Sequence, residues 1–237
     1  MKKIEMNEDP FGVLVVDKDK GMTSHDVVAR VRKRFKIKKV GHAGTLDPNA
    51  TGVLVLLLGK ATRLSGNFLD QEKEYEATMK LGEKTDSGDC DGSVLEARDV
   101  DVLPCDIEKT MKDFTGDIEQ IPPMLSAKKI NGKKLYKLAR KGIEVERTPK
   151  RVTIMELEVK SIDLPFVVFR VVCSKGTYIR QLASDVGDEL GCGAHLSDLR
   201  RTRSGEFSIS QAVTVDSLLS MDKNSIAALA KKWVFRG

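Results

Sequence analysis

The chain has 237 residues, of which 41% are hydrophobic and 32% charged, enough to bury a core as one large domain or one domain with a sizeable insertion, and against wholesale disorder. Its longest apolar run, Val53–Leu58 between Gly52 and Gly59, is too short to span a bilayer and suits a buried strand. A net charge of +5 does not by itself point to nucleic acid; Glu5, Glu8 and Asp9 follow Lys2 and Lys3 and interrupt any signal-peptide core, so the cytoplasm is the expected compartment.

In chain order, residues 12–16 read as a short apolar strand closed by the charged turn Asp17-Lys18-Asp19-Lys20-Gly21. Thr23 or Ser24 can cap a helix whose apolar positions Val27, Val28, Val31 and Phe35 follow helical spacing. Residues 41–52 read as a loop and 53–58 as a buried strand. Residues 75–81 alternate as a strand does, and Asp86-Ser87-Gly88-Asp89 and Asp91-Gly92 carry turn chemistry. Asp106 is expected to cap a short helix through Ile107, Met111 and Phe114 that stops at Gly116. Strands are expected over 152–159 and 166–172. A second long helix is expected from about Thr177, with Ile179, Leu182, Ala183, Val186 and Leu190 on one stripe and its end at Gly191. Helices and strands interleave without strict alternation, which predicts a mixed sheet flanked by helices.

Charge is unevenly distributed. Seven cations and no acid lie between Arg30 and Lys39, and seven more with no acid between Lys128 and Lys141. Arg200, Arg201 and Arg203 form a third group, whereas residues 83–119 hold twelve acids against four bases. A solvated helix face explains any one basic run; three of them, apart from an acidic segment, suggest a surface that meets phosphates. Cys90, Cys105, Cys173 and Cys192 form no CxxC pair and read as reduced structural thiols. His25, His42 and His195 are not at zinc-ligand spacing, so no metal is expected. Phosphate-binding-loop, dinucleotide and GxSxG patterns all fail.

The strongest local feature is residues 41–52, GHAGTLDPNATG, which join a basic helix to a buried strand. Its three glycines allow turns that other residues resist, and Pro48 stiffens the residue before it, so Asp47 is expected in a rigid loop beside the core. A catalytic carboxylate needs such placement. A purely structural Asp-Pro turn has the same pattern, and spacing does not separate the two.

This segment resembles the catalytic motif of the TruB family of tRNA pseudouridine-55 synthases. Lys73-Glu74-Tyr75-Glu76-Ala77 with Leu81-Gly82 is similar to the family's tyrosine motif, and Gln120-Ile121-Pro122-Pro123, Ser126-Ala127-Lys128 and residues 135–140 to its RNA-gripping insertion. Gly176-Thr177-Tyr178-Ile179-Arg180 and Leu199-Arg200-Arg201 resemble its later motifs, and all occur in family order over roughly residues 12–205. Two departures stand out. The family's Asp-Lys-Pro turn reads Asp17-Lys18-Asp19, a less rigid turn, and only about thirty residues follow the last motif, so no C-terminal PUA domain is expected.

The resemblance implies an α+β pseudouridine synthase fold, a mixed and largely antiparallel central sheet flanked by helices. It implies a single catalytic domain with an RNA-binding insertion at about 120–150. It further implies an isomerase that turns uridine 55 in the T-arm of tRNA into pseudouridine with no cofactor. Asp47 takes the carboxylate role, as nucleophile or as base on the sugar. Arg180 pairs with it and keeps it ionised. Tyr75 stacks on the flipped uracil, Tyr178 and Leu199 wall the pocket, and His42 fills the space the base vacates. Lys18 joins the substrate-binding set. Lys128, Lys129, Lys133 and Lys134, with Arg200 and Arg201, are expected on RNA, the insertion closing over the T-arm through phosphates and 2′-hydroxyls. A monomer is expected, without membrane or metal partners. Two rival readings remain: a dyskerin-type guided synthase, and a non-catalytic RNA-binding protein in which Asp47 is dispensable.

Overall fold

The apolar stretch after Phe11 forms β1 (Gly12–Lys18), buried on both faces. In the computed structural model residues 11–126, 128–130, 132–139 and 141–230 are described, without the side chains of Lys129, Ile130, Lys133, Lys134 and Tyr136. The chain divides into two compact units, one built from residues up to Gln71 and from Arg200 onward, the other from Glu72–Leu199.

In the first unit α1 (Ser24–Phe35) begins at Thr23, whose hydroxyl accepts from the Asp26 amide at 3.0 Å while the Asp26 carboxylate accepts from the Thr23 amide at 2.9 Å. This reciprocal box fixes the helix start. Val27, Val28, Val31 and Phe35 form its buried stripe. A hairpin follows, β2 (Val40–Ala43) against β3 (Thr51–Leu58), and then the short helix α2 (Ser65–Leu69). β3 pairs antiparallel with β1 from Lys18↔Gly52 to Gly12↔Leu58. Val53, Val55 and Leu57 of β3 join Val13, Val15, Ala43, Phe68 and Phe207 in one cluster. Each such fully buried aliphatic side chain contributes about 1.5–3 kcal/mol.

The second unit opens with β4 (Lys73–Leu81), whose alternate residues Tyr75, Ala77, Met79 and Leu81 are buried. The hairpin β5 (Glu83–Thr85) and β6 (Val94–Ala97) leads to α3 (Pro104–Asp113) and β7 (Gly116–Gln120). The insertion holds a two-residue hairpin, β8 (Lys129–Ile130) and β9 (Lys133–Lys134), and the short helix α4 (Leu135–Ala139). β10 (Lys150–Asp163) and β11 (Phe166–Cys173) form a long bulged hairpin. α5 (Ile179–Glu189) comes next, and the first half of β12 (Ala194–Ser204) closes the unit. The strand order is β12-β4-β11-β10-β7, with the last three pairings antiparallel.

From Arg200 the chain is again in the first unit. The second half of β12 pairs parallel with the start of β3, Arg200↔Thr51 and Arg201↔Gly52. β13 (Phe207–Ser208) folds back on β12, β14 (Val213–Thr214) pairs parallel with β1, and α6 (Val215–Ser220) and α7 (Lys223–Leu229) follow. The fold is therefore α+β with mixed, largely antiparallel sheet and flanking helices. No helix among the described residues is long and apolar enough to cross a membrane.

Three local expectations are corrected. Residues 40–43 are strand, because His42 and Ala43 pair with Leu56 and Val55, so the loop is confined to 44–50. Asp106 does not cap α3: Leu103 holds that position, Pro104 takes the first helical turn, and the Asp106 carboxylate accepts from the Leu103 amide. The helix expected from Thr177 begins at Ile179, since the Tyr178 backbone is extended.

Candidate active site

Asp47 lies in the loop 44–50 of the first unit, half-buried, at the first position of a turn closed by the Ala50 amide donating to the Asp47 carbonyl at 3.1 Å. Asp followed by Pro suits the first two positions of such a turn. The loop is held at three further points. At Leu46 the buried Ser24 hydroxyl accepts from the amide at 2.8 Å and donates to the carbonyl at 3.1 Å. At Pro48 the carbonyl accepts from the Gly21 amide at 2.9 Å and from Lys18 Nζ at 3.1 Å. At the flanks Arg201 donates from Nη2 to the Gly44 carbonyl at 3.0 Å and from Nε to the Val53 carbonyl at 2.7 Å. A loop so tied presents its carboxylate in one geometry, which is what orientation-dependent chemistry requires.

Lys18 and Arg201 both turn inward onto the backbone around this loop. Lys18 is fully buried, and Nζ donates to the carbonyls of Asp19 (2.9 Å), Met22 (2.8 Å) and Pro48 (3.1 Å), using all three ammonium donors on backbone. Burial pushes its pKa down to about 8 from the ordinary 10.5, against the opposing pull of Asp19 and Asp47. Arg201 is 1% exposed, and its guanidinium holds the loop. Arg200 pairs with Asp17 at 2.7 Å and donates to Thr51 Oγ1 at 3.3 Å, while Arg203 donates to the Gly205 carbonyl. The third basic group is largely taken up by internal partners. His42 sits on β2, half-buried, with Nδ1 lacking a hydrogen-bond partner among the described residues. Burial first, then the charges of Arg201 and His25, lower its pKa and favour the neutral ring.

The second unit holds the other expected residues. Tyr75 is buried on β4, in register with Val171 of β11. Leu199 is half-buried on β12. Tyr178 precedes α5, and Arg180 lies in its first turn, 6% exposed. Arg180 donates to the carbonyls of Ser87 (2.8 Å) and Leu125 (2.9 Å) and lies 3.4 Å from an Asp89 carboxylate oxygen. The turn at 86–92, legible only as a turn, is thus a scaffold for Arg180. Its Gly88 amide and carbonyl are tied to Thr85 and Leu196.

Sequence reasoning placed Gln120 in the insertion motif but gave its side chain no role. Its side chain is buried, with Oε1 accepting from the Tyr178 amide at 3.0 Å and Nε2 donating to the Tyr178 carbonyl at 3.3 Å. In the insertion the Leu135 amide donates to the Lys128 carbonyl at 2.8 Å, and Arg147 Nη1 to the Pro122 carbonyl at 3.2 Å. Lys128 is half-buried, and burial, then the like charge of Lys150, lowers its pKa. The side chains of Lys129, Lys133 and Lys134 lie outside the described part of the structure.

Comparison with known proteins is direct. The N-terminal domain of the TruB family of pseudouridylate synthases matches residues 32–179, and the tRNA pseudouridylate synthase B C-terminal domain matches 180–231. The chain is 50% identical over 211 residues to the tRNA pseudouridine synthase B of Alkaliphilus oremlandii, covering 89% of this chain and 71% of the relative. It is 49% identical over 216 residues to that of Opitutus terrae, covering 91% and 90%. Among solved structures, a chain of a Cbf5-Nop10-Gar1 complex is 35% identical with a TM-score of 0.71, over 92% of this chain and 60% of that one.

Proposed function

The chain belongs to the TruB family of pseudouridylate synthases, isomerases by reaction class, and we propose that it converts uridine 55 in the T-arm of tRNA to pseudouridine. The observation that carries the chemistry is the loop 44–50. Its backbone is tied by Ser24, Lys18 and Arg201, so that the Asp47 carboxylate is presented on a rigid support. The reaction breaks the ribose–uracil C–N bond, turns the base and rejoins it through carbon, with nothing oxidised and nothing lost. It therefore asks for an oriented carboxylate, a pocket that retains free uracil, and a way to unstack the nucleotide.

In this reading Asp47 acts on the ribose or base as nucleophile or base. The family resemblance supports Arg180 as its cationic partner, Tyr75 as the stacking surface for the extruded uracil, and Tyr178 and Leu199 as apolar walls. His42, held neutral, fills the space left by the base. The names of the half-identical relatives support tRNA as the substrate.

The test is tritium release from uracil-5-labelled tRNA transcript by the purified protein and by Asp47→Asn. We expect release by the wild type alone, with no guide RNA, and a fall of at least 1,000-fold in Asp47→Asn, about 4 kcal/mol in the barrier. Normal turnover by the variant sinks the catalytic assignment. Release only in the presence of a guide RNA and partner proteins would favour the guided reading, and loss of release on replacing uridine 55 checks the position.

A further inference from the structure

Gln120 and Arg180 tie the same two segments together in opposite directions. Gln120 ends β7 and opens the insertion; its side chain clamps both backbone groups of Tyr178. Two residues beyond Tyr178, the Arg180 side chain reaches back to the carbonyl of Leu125, five residues beyond Gln120. The start of the insertion and the start of α5 are thus latched side chain to backbone in both directions. The clamp matters at this end of α5 because Tyr178 stands at the N-cap with no side-chain oxygen able to accept from the first turn. Its carbonyl already accepts from the Leu182 amide at 3.0 Å, so fixing Tyr178 fixes the helical register that carries Arg180. Gln120 itself is 1% exposed, and a buried amide that satisfies both partners holds them more firmly than either bond alone.

We propose that Gln120 is a positioning residue for the isomerisation: through the backbone of Tyr178 it sets where Arg180 delivers its guanidinium, and it links the RNA-contacting insertion to that guanidinium. The inference rests on the function proposed above, in which Arg180 serves the reacting carboxylate. Gln120→Ala removes both contacts. Gln120→Glu keeps the acceptor for the Tyr178 amide but sets a carboxylate oxygen against the Tyr178 carbonyl, so it retains half of the clamp.

The experiment is a double-mutant cycle of Gln120→Ala with Arg180→Lys, read as single-turnover tritium release, with tRNA affinity measured on the same proteins. We expect Gln120→Ala to slow the reaction at least tenfold while tRNA affinity stays within about twofold, and Gln120→Glu to fall between it and the wild type. In the Arg180→Lys background the added cost of Gln120→Ala should shrink to about twofold, since a residue acting through Arg180 has nothing left to orient. Amide hydrogen exchange at Tyr178 should accelerate in Gln120→Ala. A wild-type rate for Gln120→Ala, a cost that multiplies unchanged in the Arg180→Lys background, or unaltered exchange at Tyr178 would overturn the proposal. Absence of Asp47-dependent release by the wild type is a different result: it overturns the proposed function and this inference with it.

Discussion

At the scale of single residues, Lys18 is a titratable group tied directly to the Asp47 loop. Its ammonium donates to three carbonyls, one of them Pro48, and burial holds its pKa near 8 against the ordinary 10.5. Above that value it loses one of three donors and the positive charge felt by Asp47. We therefore expect an alkaline limb in the single-turnover rate with a midpoint near pH 8, absent in Lys18→Met, which should be slower by about 10–100-fold throughout. The effect on stability runs the other way. A folded-state pKa below the unfolded one means that the unfolded chain binds more protons between about 8 and 10.5, so this group alone makes stability rise with pH across that window. A rate that falls near pH 8 without a matching fall in melting temperature is the expected pair of results. The same alkaline limb in Lys18→Met would show that another group titrates. Little of this was legible beforehand. The sequence marks Asp47 through three glycines and a proline, but nothing in Asp17-Lys18-Asp19 says that the lysine turns inward, and a serine after a helix cap gives no sign that its hydroxyl will bracket Leu46.

At the scale of elements, the parallel pairing of β12 with β3 is what draws Arg201 beneath the loop, and it depends on Gly52. That residue has φ of +98°, and a Cβ placed there would overlap the carbonyl oxygen of Arg201. Backbone conformations of this kind cost about 1–3 kcal/mol for a residue with a side chain, before the steric overlap is added. For Gly52→Ala we expect a loss of about 3 kcal/mol, a fall in melting temperature of roughly 6–12 °C, and slower turnover as Arg201 is displaced from Gly44 and Val53. An unchanged melting temperature would mean that the pairing yields without cost. β12 also shows where hydrophobic patterning fails as a guide. β3 was visible as a continuous apolar run and β4 as a clean alternation, because their burial is written in hydrophobic residues. β12 carries Asp198, Arg200, Arg201 and Arg203, and its largest fully buried side chain is an arginine that donates to carbonyls of distant residues. Hydropathy cannot mark a core position filled by a charge. The family resemblance singled out Leu199-Arg200-Arg201, yet with the two arginines as RNA contacts, and only tertiary structure separates a loop-holding arginine from a phosphate-binding one. The role of Gln120 was hidden for a similar reason: its partner is the Tyr178 backbone, which leaves no trace in side-chain pattern.

At the scale of the whole molecule, the uneven charge distribution narrows once internal partners are counted. Arg200 is paired with Asp17, Arg201 is buried, and in the first run Arg34 donates to the carbonyls of Leu219 and Met221 and lies over the Phe35 ring. Net charge of +5 over 237 residues is thus not spread where RNA would feel it equally. The insertion holds the second long basic run. Seven cations fall between Lys128 and Lys141 with no acid, and Lys128 already carries a lowered pKa from burial and from Lys150, a repulsion that a bound phosphate would relieve. Replacing Lys128, Lys129, Lys133 and Lys134 together by alanine should weaken tRNA binding by about 10–100-fold near 0.1 M salt. It should also flatten the plot of log affinity against log salt by roughly 0.7–0.9 for each phosphate that is no longer neutralised, or about 3 for four phosphates. Arg200→Ala, by contrast, should leave that slope nearly unchanged and lower stability instead, because its partner is Asp17. If the fourfold variant keeps the wild-type slope while Arg200→Ala flattens it, the insertion is not the electrostatic grip, and the polyanion meets the first unit.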